Sequence, residues 1–382
     1  MKLPPLVEAT QSLSDAELNR YARHISLPGI GILGQERLKS AKILCIGAGG
    51  LGSPTLMYLA AAGVGTIGII DFDYVDQSNL ARQIIHSESS IGTLKTESAA
   101  RRISEVNPNT QVQLHSEKLR TRNAIEIFSG YDLIIDGSDN FATRYLANDA
   151  AVLLKKPYIW GSIFQFDGQA SVFWAEHGPC YRCLQPTPPP PGTVPSCSVA
   201  GVLGLLCSSI SAIQSTEAIK LITGVGDPLI GSVIIYDALR MDFQKIVVKK
   251  DPACPLCGSN PIQFGLLENY EDFCGESPAI TASELKRKMD EKVEFQLIDV
   301  REIEEFERAR IPGSTLIPLG QFKDGTAFAL IRKDLPIILH CRSGVRSATA
   351  LKLLAAEGFD GALHLAGGII EWIKDVDPSL SI

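Results

Sequence analysis

Residues 41–47, AKILCIG, form an apolar run interrupted only by Lys42 that leads into four closely spaced glycines, Gly47, Gly49, Gly50 and Gly52, and an apolar stretch follows to residue 63. Few features restrict a fold as much. A buried strand, a glycine turn and a helix in direct succession commit the chain to a βαβ unit. TIGIID, residues 66–71, supplies the second strand, and YDLIIDGSDN, residues 131–140, ends a further apolar strand in acidic residues. Strands alternate with helices to about residue 248. That alternation predicts an α/β domain with a mostly parallel sheet covered on both faces.

At 382 residues the chain exceeds one ordinary core, and two domains are expected. The segment 258–278, rich in Gly, Pro and acidic residues and without periodicity, marks the boundary, with a linker at 259–278. Beyond it FQLIDV, IILHC and ALHLAGG read as short strands and SATALKLLAAEG as a helix, so residues 279–382 form a second, smaller α/β domain. PTPPPPGTVP, residues 186–195, excludes helix and central strand and reads as a crossover loop. Ser14 with Glu17 is a capping-box signature for a helix running through Arg20, Tyr21 and Arg23. The chain carries no internal repeat.

The formal charge of −7 gives no overall positive field for nucleic acid or an anionic membrane, so any anion site is local. The N-terminal stretch lacks a signal-peptide pattern, and no segment stays apolar long enough to span a bilayer, which predicts a cytoplasmic protein. Nine cysteines in that setting read as metal ligands and reactive thiols rather than disulfides.

Gly47, Gly49, Gly50 and Gly52 leave backbone amides and a helix N-terminus bare for phosphate, and Asp71, at the end of the next strand, suits a ribose hydroxyl. Alone these residues say only "nucleotide", with a dinucleotide oxidoreductase as the default. SNLAR, residues 78–82 (Ser78, Asn79, Leu80, Ala81 and Arg82), together with Lys95, places an asparagine and two cations, Arg82 and Lys95, after that carboxylate; hydride transfer does not need them but displacement at an α-phosphate does. Asp139, beside Asn140, is then a candidate magnesium ligand.

GAGGLGSP, DFDYVDQSNLARQ, IGTLKTESA and DGSDNFATR resemble the MoeB/ThiF family of adenylyltransferases, relatives of the ubiquitin-activating enzymes, over residues 10–258. The resemblance implies a Rossmann-like ATP-binding domain, with Gly50, Asp71, Ser78, Asn79, Arg82, Lys95, Asp139 and Asn140 as its ATP and magnesium site. Arg23, in RYARH, resembles an arginine that reaches the partner subunit's nucleotide, which implies a homodimer. The family joins ATP to the C-terminal Gly-Gly carboxylate of a small ubiquitin-like carrier and releases pyrophosphate.

Cys180-Tyr-Arg-Cys183 and Cys254-Pro-Leu-Cys257 are two C-x-x-C pairs whose four thiolates suit a closed tetrahedral zinc site, with redox dithiols as the alternative. The family resemblance agrees with a structural zinc. Cys197 follows the proline-rich loop; by position it resembles the cysteine that ubiquitin-activating relatives use for a covalent intermediate, and a buried helix cysteine is the alternative. Cys45 and Cys207 sit in apolar segments and read as core, while Cys274 lies in the linker.

Cys341 ends IILHC and opens CRSGVRS, ahead of a helix; turn amides, the helix N-terminus, Arg342 and Arg346 favour a thiolate able to carry a persulfide. Residues 279–382 resemble a rhodanese domain, with DVREIEEFERARIPGS as the other recognisable stretch and Asp299 and Arg301 supporting the loop. Arg346 comes one residue sooner than in a C-x5-R phosphatase loop, which favours sulfur over phosphate.

An adenylating domain fused to a rhodanese domain implies a thiocarboxylate product on a sulfur-carrier protein, for molybdenum cofactor or a related sulfur-containing metabolite. An upstream persulfide donor, such as a cysteine desulfurase, would load Cys341. The alternatives are an NAD-type oxidoreductase and a non-catalytic carrier-docking module.

Overall fold

The computed structural model describes residues 3–189, 201–275, 278–359 and 361–380. Cys197 and residues 190–195 of the proline-rich segment lie outside these. The chain divides into two compact units, the first running to Tyr270 and the second from Glu271.

The first unit holds β1 (Lys42–Ile46), β2 (Thr66–Ile70), β3 (Gln111–His115), β4 (Leu133–Asp136), β5 (Tyr158–Phe164), β6 (Asp167–Phe173), β7 (Ser232–Asp237) and β8 (Asp242–Val247). They form one sheet in the order β3-β2-β1-β4-β5-β6-β7-β8. Pairing is parallel from β3 to β5 and antiparallel from β5 to β8. Ile43 and Cys45, Ile67 and Ile69, and Leu133 and Ile135 enter one buried cluster. The alternate Leu44 and Ile134 are buried as well, so the central strands β1 and β4 are covered on both faces, while the edge strand β3 is largely exposed. The antiparallel extension was not apparent in the sequence. The turn between β5 and β6 has Gln165 and Phe166 at its centre, with Gln165 at φ 52, in place of the Asn-Gly or Asp-Gly that signals a two-residue hairpin.

The strand order reverses between β1 and β4, so a crevice opens beyond their C-terminal ends. Two loops meet there. Gly47, at φ 86, follows β1, and a Cβ on it would lie 3.2 Å from Gly137 O, in the loop after β4. The positive φ and the close approach together favour glycine there.

Ser14 and Glu17 do form a reciprocal capping box, but the helix stops at Arg20. Tyr21 is buried, and its hydroxyl accepts a 2.8 Å hydrogen bond from Asn107 Nδ2. Tyr21, at φ −97 and ψ 12, lies between the two elements, and a separate helix, Ala22–Ile25, carries Arg23.

The second unit is a parallel sheet of β9 (Ala279–Ile280), β10 (Gln296–Asp299), β11 (Thr315–Leu316), β12 (Ile337–His340) and β13 (Leu363–Leu365), in the order β11-β10-β12-β13-β9. Period-two alternation sends Leu297 and Ile338 into one core and Ile298 and Leu339 into the other. Helices Ala282–Asp290 and Gly368–Asp375 cover the first face, and helix Val345–Ala356 covers the second. No helix among the described residues is long and apolar enough to cross a membrane.

Candidate functional site

At the mouth of the first unit's crevice the loop Gly47–Leu51 feeds helix Gly52–Ala61. A Cβ on Gly52 would lie 1.9 Å from Gly47 O, so the loop closes only with glycine there. Behind Gly50 there is no room either, because Cys207 Sγ lies 2.9 Å from where its Cβ would be. The amides of Gly49 and Gly50 donate to no protein acceptor among the described residues, as a phosphate-binding turn requires.

Asp71 Oδ2 accepts from Ala48 N at 2.8 Å, and Oδ1 from Asp73 N at 2.9 Å, so the ribose-type carboxylate is tied to the glycine loop. Burial pushes the Asp71 carboxyl up, and Lys95 opposes that. Lys95 opens helix Lys95–Val106 and is buried; its Nζ lies 2.8 Å from Asp73 Oδ2. Burial alone would pull the amine down, but Asp71, Asp73 and Asp139 outweigh it and hold the ammonium above the ordinary lysine range. The structure thus brings Asp71, Lys95 and Asp139 into one electrostatic group. Asp73, within the quoted DFDYVD motif, is a member the sequence reading passed over.

Ser78 and Asn79 form a short helical turn capped by Asp76: Ser78 Oγ donates to Asp76 Oδ1 at 2.6 Å, and Asn79 Oδ1 accepts from Asp76 N at 3.3 Å. Arg82 is partly exposed and donates to Ser78 O at 3.2 Å, with its Cδ 3.9 Å from the Cβ position of Gly50. Leu80 is half-buried and Ala81 exposed. Ala81 O lies 2.6 Å from the Cβ position of Gly204, so helix Gly204–Thr223 starts against this turn. Asp139 is exposed at the end of the β4 loop. Asn140 caps helix Phe141–Leu153, its Oδ1 accepting from Thr143 N at 2.9 Å. Arg23 is exposed on its own helix.

Cys180, Cys183, Cys254 and Cys257 place their sulfurs within 4.8 Å of one another. The separations Cys180–Cys254 of 3.7 Å, Cys180–Cys183 of 3.9 Å and Cys183–Cys257 of 3.4 Å surround the roughly 3.8 Å edge that a tetrahedron with 2.3 Å zinc–sulfur bonds would have. Contacts with neighbouring sulfurs raise the Cys180 thiol and lower Cys254, since four thiols this close cannot all ionise without a cation. The donor set fits zinc. Inside the first pair, Arg182 grips the buried Asp149 at 2.7 and 2.8 Å, and Gln263 and Tyr270 also donate to that carboxylate. Cys45 is fully buried, and burial with Asp136 and Asp71 nearby pushes its thiol up, which agrees with a core role.

In the second unit Cys341 directly follows β12 and is buried. Its Sγ accepts from Gly344 N at 3.2 Å, where Gly344 takes φ 95 and caps helix Val345–Ala356. Ser347 Oγ lies 3.6 Å from the same sulfur. Arg342 is exposed, and Arg346 is held by Glu305. Asp299 and Arg301 form a buried ion pair at 2.7 Å, and Arg301 Nη2 also donates to Ala309 O, which fixes the turn around helix Ile303–Arg308 that carries Glu305. Burial pushes His340, just before Cys341, down to about 4.

Residues 21–256 match the ThiF family and residues 281–375 the rhodanese-like domain. The chain is 49% identical to the probable adenylyltransferase/sulfurtransferase MoeZ of Mycobacterium tuberculosis, covering 99% of this chain and 98% of that protein. It is 41% identical to the adenylyltransferase and sulfurtransferase MOCS3 of Drosophila ananassae, covering 97% of this chain and 86% of that one. The sulfur carrier protein adenylyltransferase of Thermus thermophilus is 50% identical over 68% of this chain and 97% of its own length. Among solved structures, E. coli MccB with ATP covers 63% of this chain and 74% of that chain at a TM-score of 0.55 and 23% identity, a likeness of fold.

Proposed function

Because this chain belongs to the ThiF family and carries a rhodanese-like domain behind it, we propose that it adenylates the C-terminal glycine of a small ubiquitin-like sulfur-carrier protein and then delivers sulfur to it. It is an adenylyltransferase and sulfurtransferase. The observation that carries this reading is the union, in one chain, of a glycine loop served by the buried Lys95 and a cysteine whose sulfur is cradled at a helix N-terminus.

In the first step an oxygen of the carrier's terminal carboxylate attacks the α-phosphorus of ATP, the α–β anhydride bond breaks, and pyrophosphate leaves. Gly49 and Gly50 amides, Arg82 and Lys95 offset the charge on the phosphates, Asp71 holds the ribose, and Asp139 offers a carboxylate for magnesium. Magnesium, when bound, neutralises charge on the leaving pyrophosphate. In the second step the terminal sulfur of a persulfide on Cys341 attacks the acyl carbon and AMP departs, leaving an acyl disulfide. A thiolate, Cys197 or an external thiol, then attacks Cys341 Sγ; the S–S bond breaks, the thiocarboxylate leaves, and the new mixed disulfide is reduced by a further thiol.

The four-cysteine cluster holds a structural zinc, since four protein ligands leave no open position. A cysteine desulfurase or similar persulfide donor loads Cys341. The protein works as a homodimer in which Arg23 serves the partner's nucleotide, and it resides in the cytoplasm, consistent with eight described cysteines that form no disulfide. The product feeds molybdenum cofactor or a related sulfur-containing metabolite.

Carrier-dependent ATP–pyrophosphate exchange tests the adenylation half. The wild-type chain exchanges label only when its carrier is present, and Asp139→Ala, which alters an exposed side chain rather than the core, abolishes exchange while the fold persists. Exchange at the wild-type rate by that variant would remove Asp139 from the mechanism.

A further inference from the structure

His86 has no part in the reaction as described so far, yet it sits at a decisive place. Its ring is buried, with Nε2 3.0 Å from Ala48 O and Nδ1 2.9 Å from Ser98 Oγ. Ala48 lies inside the glycine loop, and Ser98 lies one helical turn beyond Lys95 on the same helix.

Burial pushes the imidazole down to about 4, so near neutral pH it carries one ring proton. A carbonyl oxygen only accepts. The proton therefore sits on Nε2 and is donated to Ala48 O, and Nδ1 accepts from the Ser98 hydroxyl.

These bonds complete a ring. Ala48 N donates to Asp71 Oδ2 at 2.8 Å, Asp73 N to Asp71 Oδ1 at 2.9 Å, and Lys95 Nζ to Asp73 Oδ2 at 2.8 Å. One turn of helix leads from Lys95 to Ser98, and His86 returns to Ala48 O, which Ser53 Oγ also reaches at 3.2 Å.

In a trans peptide the carbonyl and the following N–H point in opposite directions, and the described chain has no cis bond. Drawing Ala48 O toward His86 therefore turns the Gly49 N–H the other way. That amide has no protein acceptor among the described residues.

We propose that His86 is a positioning residue for adenylation: it fixes the Ala48–Gly49 peptide plane so that Gly49 N–H is aimed at a nucleotide phosphate, and it locks the glycine loop to the helix that carries Lys95. The proposal rests on the adenylation reading above and names a residue that acts through the backbone, without touching the reacting atoms.

The test compares His86→Gln, His86→Asn and His86→Phe in carrier-dependent ATP–pyrophosphate exchange. The Gln amide nitrogen reaches the position of Nε2 and can serve Ala48 O, whereas the Asn amide nitrogen reaches only that of Nδ1. A misaimed loop costs on the order of 100-fold in kcat/KM for ATP. Asn and Phe are expected to show that loss, and Gln to recover most of it, with thermal midpoints alike for Gln and Asn and persulfide loading of Cys341 unchanged in all three. If Phe fails to fold, the Gln and Asn pair still decides. Asn matching Gln, or Phe matching wild type, would overturn the proposal. Absence of exchange in the wild-type chain itself would instead sink the adenylation reading.

Discussion

The guanidinium of Arg346 holds the carboxylate of Glu305 through two parallel 2.7 Å hydrogen bonds. The cation at the end of the Cys341 loop is thus already neutralised, and the groups that reach the sulfur are the Gly344 amide and the Ser347 hydroxyl.

That pair has a pH signature. Arg346 lowers Glu305 to about 2, below the 4.5 of an unperturbed glutamate. A depressed folded-state value means a contribution to stability that is whole above about pH 4.5 and is lost as pH falls toward about 2. Thermal midpoints of wild type and Glu305→Gln, compared from pH 6 to pH 3, should differ by a constant amount at the upper end and converge below about pH 4.5. An offset that stays constant to pH 3 would contradict the pairing.

Beneath that pair lies the ion pair of Asp299 and Arg301, both essentially inaccessible. Removing one partner leaves the other charge buried and uncompensated, a loss of about 3–5 kcal/mol. Asp299→Ala should show a loss of that order for the second unit in equilibrium denaturation. A loss under about 1 kcal/mol, the size of an exposed pair, would show that water already reaches it.

For the cysteine cluster, metal analysis of the purified protein should find about one zinc per chain. Cys183→Ser should lose the metal together with thermal stability, because a closed site adds its binding energy to folding. Native, zinc-free protein of unchanged midpoint would end the assignment.

The parts legible in the sequence are those where local chemistry decides structure. The run before Gly47, the short strand in FQLIDV, and the Ser14–Glu17 capping box each report a short-range constraint, and each is found as expected. The two C-x-x-C pairs also converge as their spacing suggests. What escaped notice depends on contacts distant in sequence. Where helix Asp15–Arg20 ends, the Tyr21 hydroxyl accepts from Asn107 Nδ2, 86 residues away. β6 pairs antiparallel with β7, Asp167 opposite Asp237, a partner far along the chain. Asp73, His86 and Glu305 look like ordinary polar residues until the fold sets them beside Lys95, Ala48 and Arg346. The acidic residues flanking Phe72, in the quoted DFDYVD motif, held the one signal that pointed to Asp73.

The central claim is that one chain activates the carrier's carboxylate and supplies its sulfur from Cys341. In the proposed mechanism adenylation draws on the glycine loop, Lys95 and Asp139, all in the first unit, and delivery on the thiol cradled by Gly344 in the second. The two activities should therefore separate cleanly. The most direct measurement is mass spectrometry of the carrier after incubation with Cys341→Ala, ATP and a protein persulfide donor, without free sulfide. The account predicts carrier-dependent pyrophosphate exchange near the wild-type rate and no carrier bearing sulfur in place of a terminal oxygen. A thiocarboxylate formed by that variant would contradict it and place the sulfur donor elsewhere.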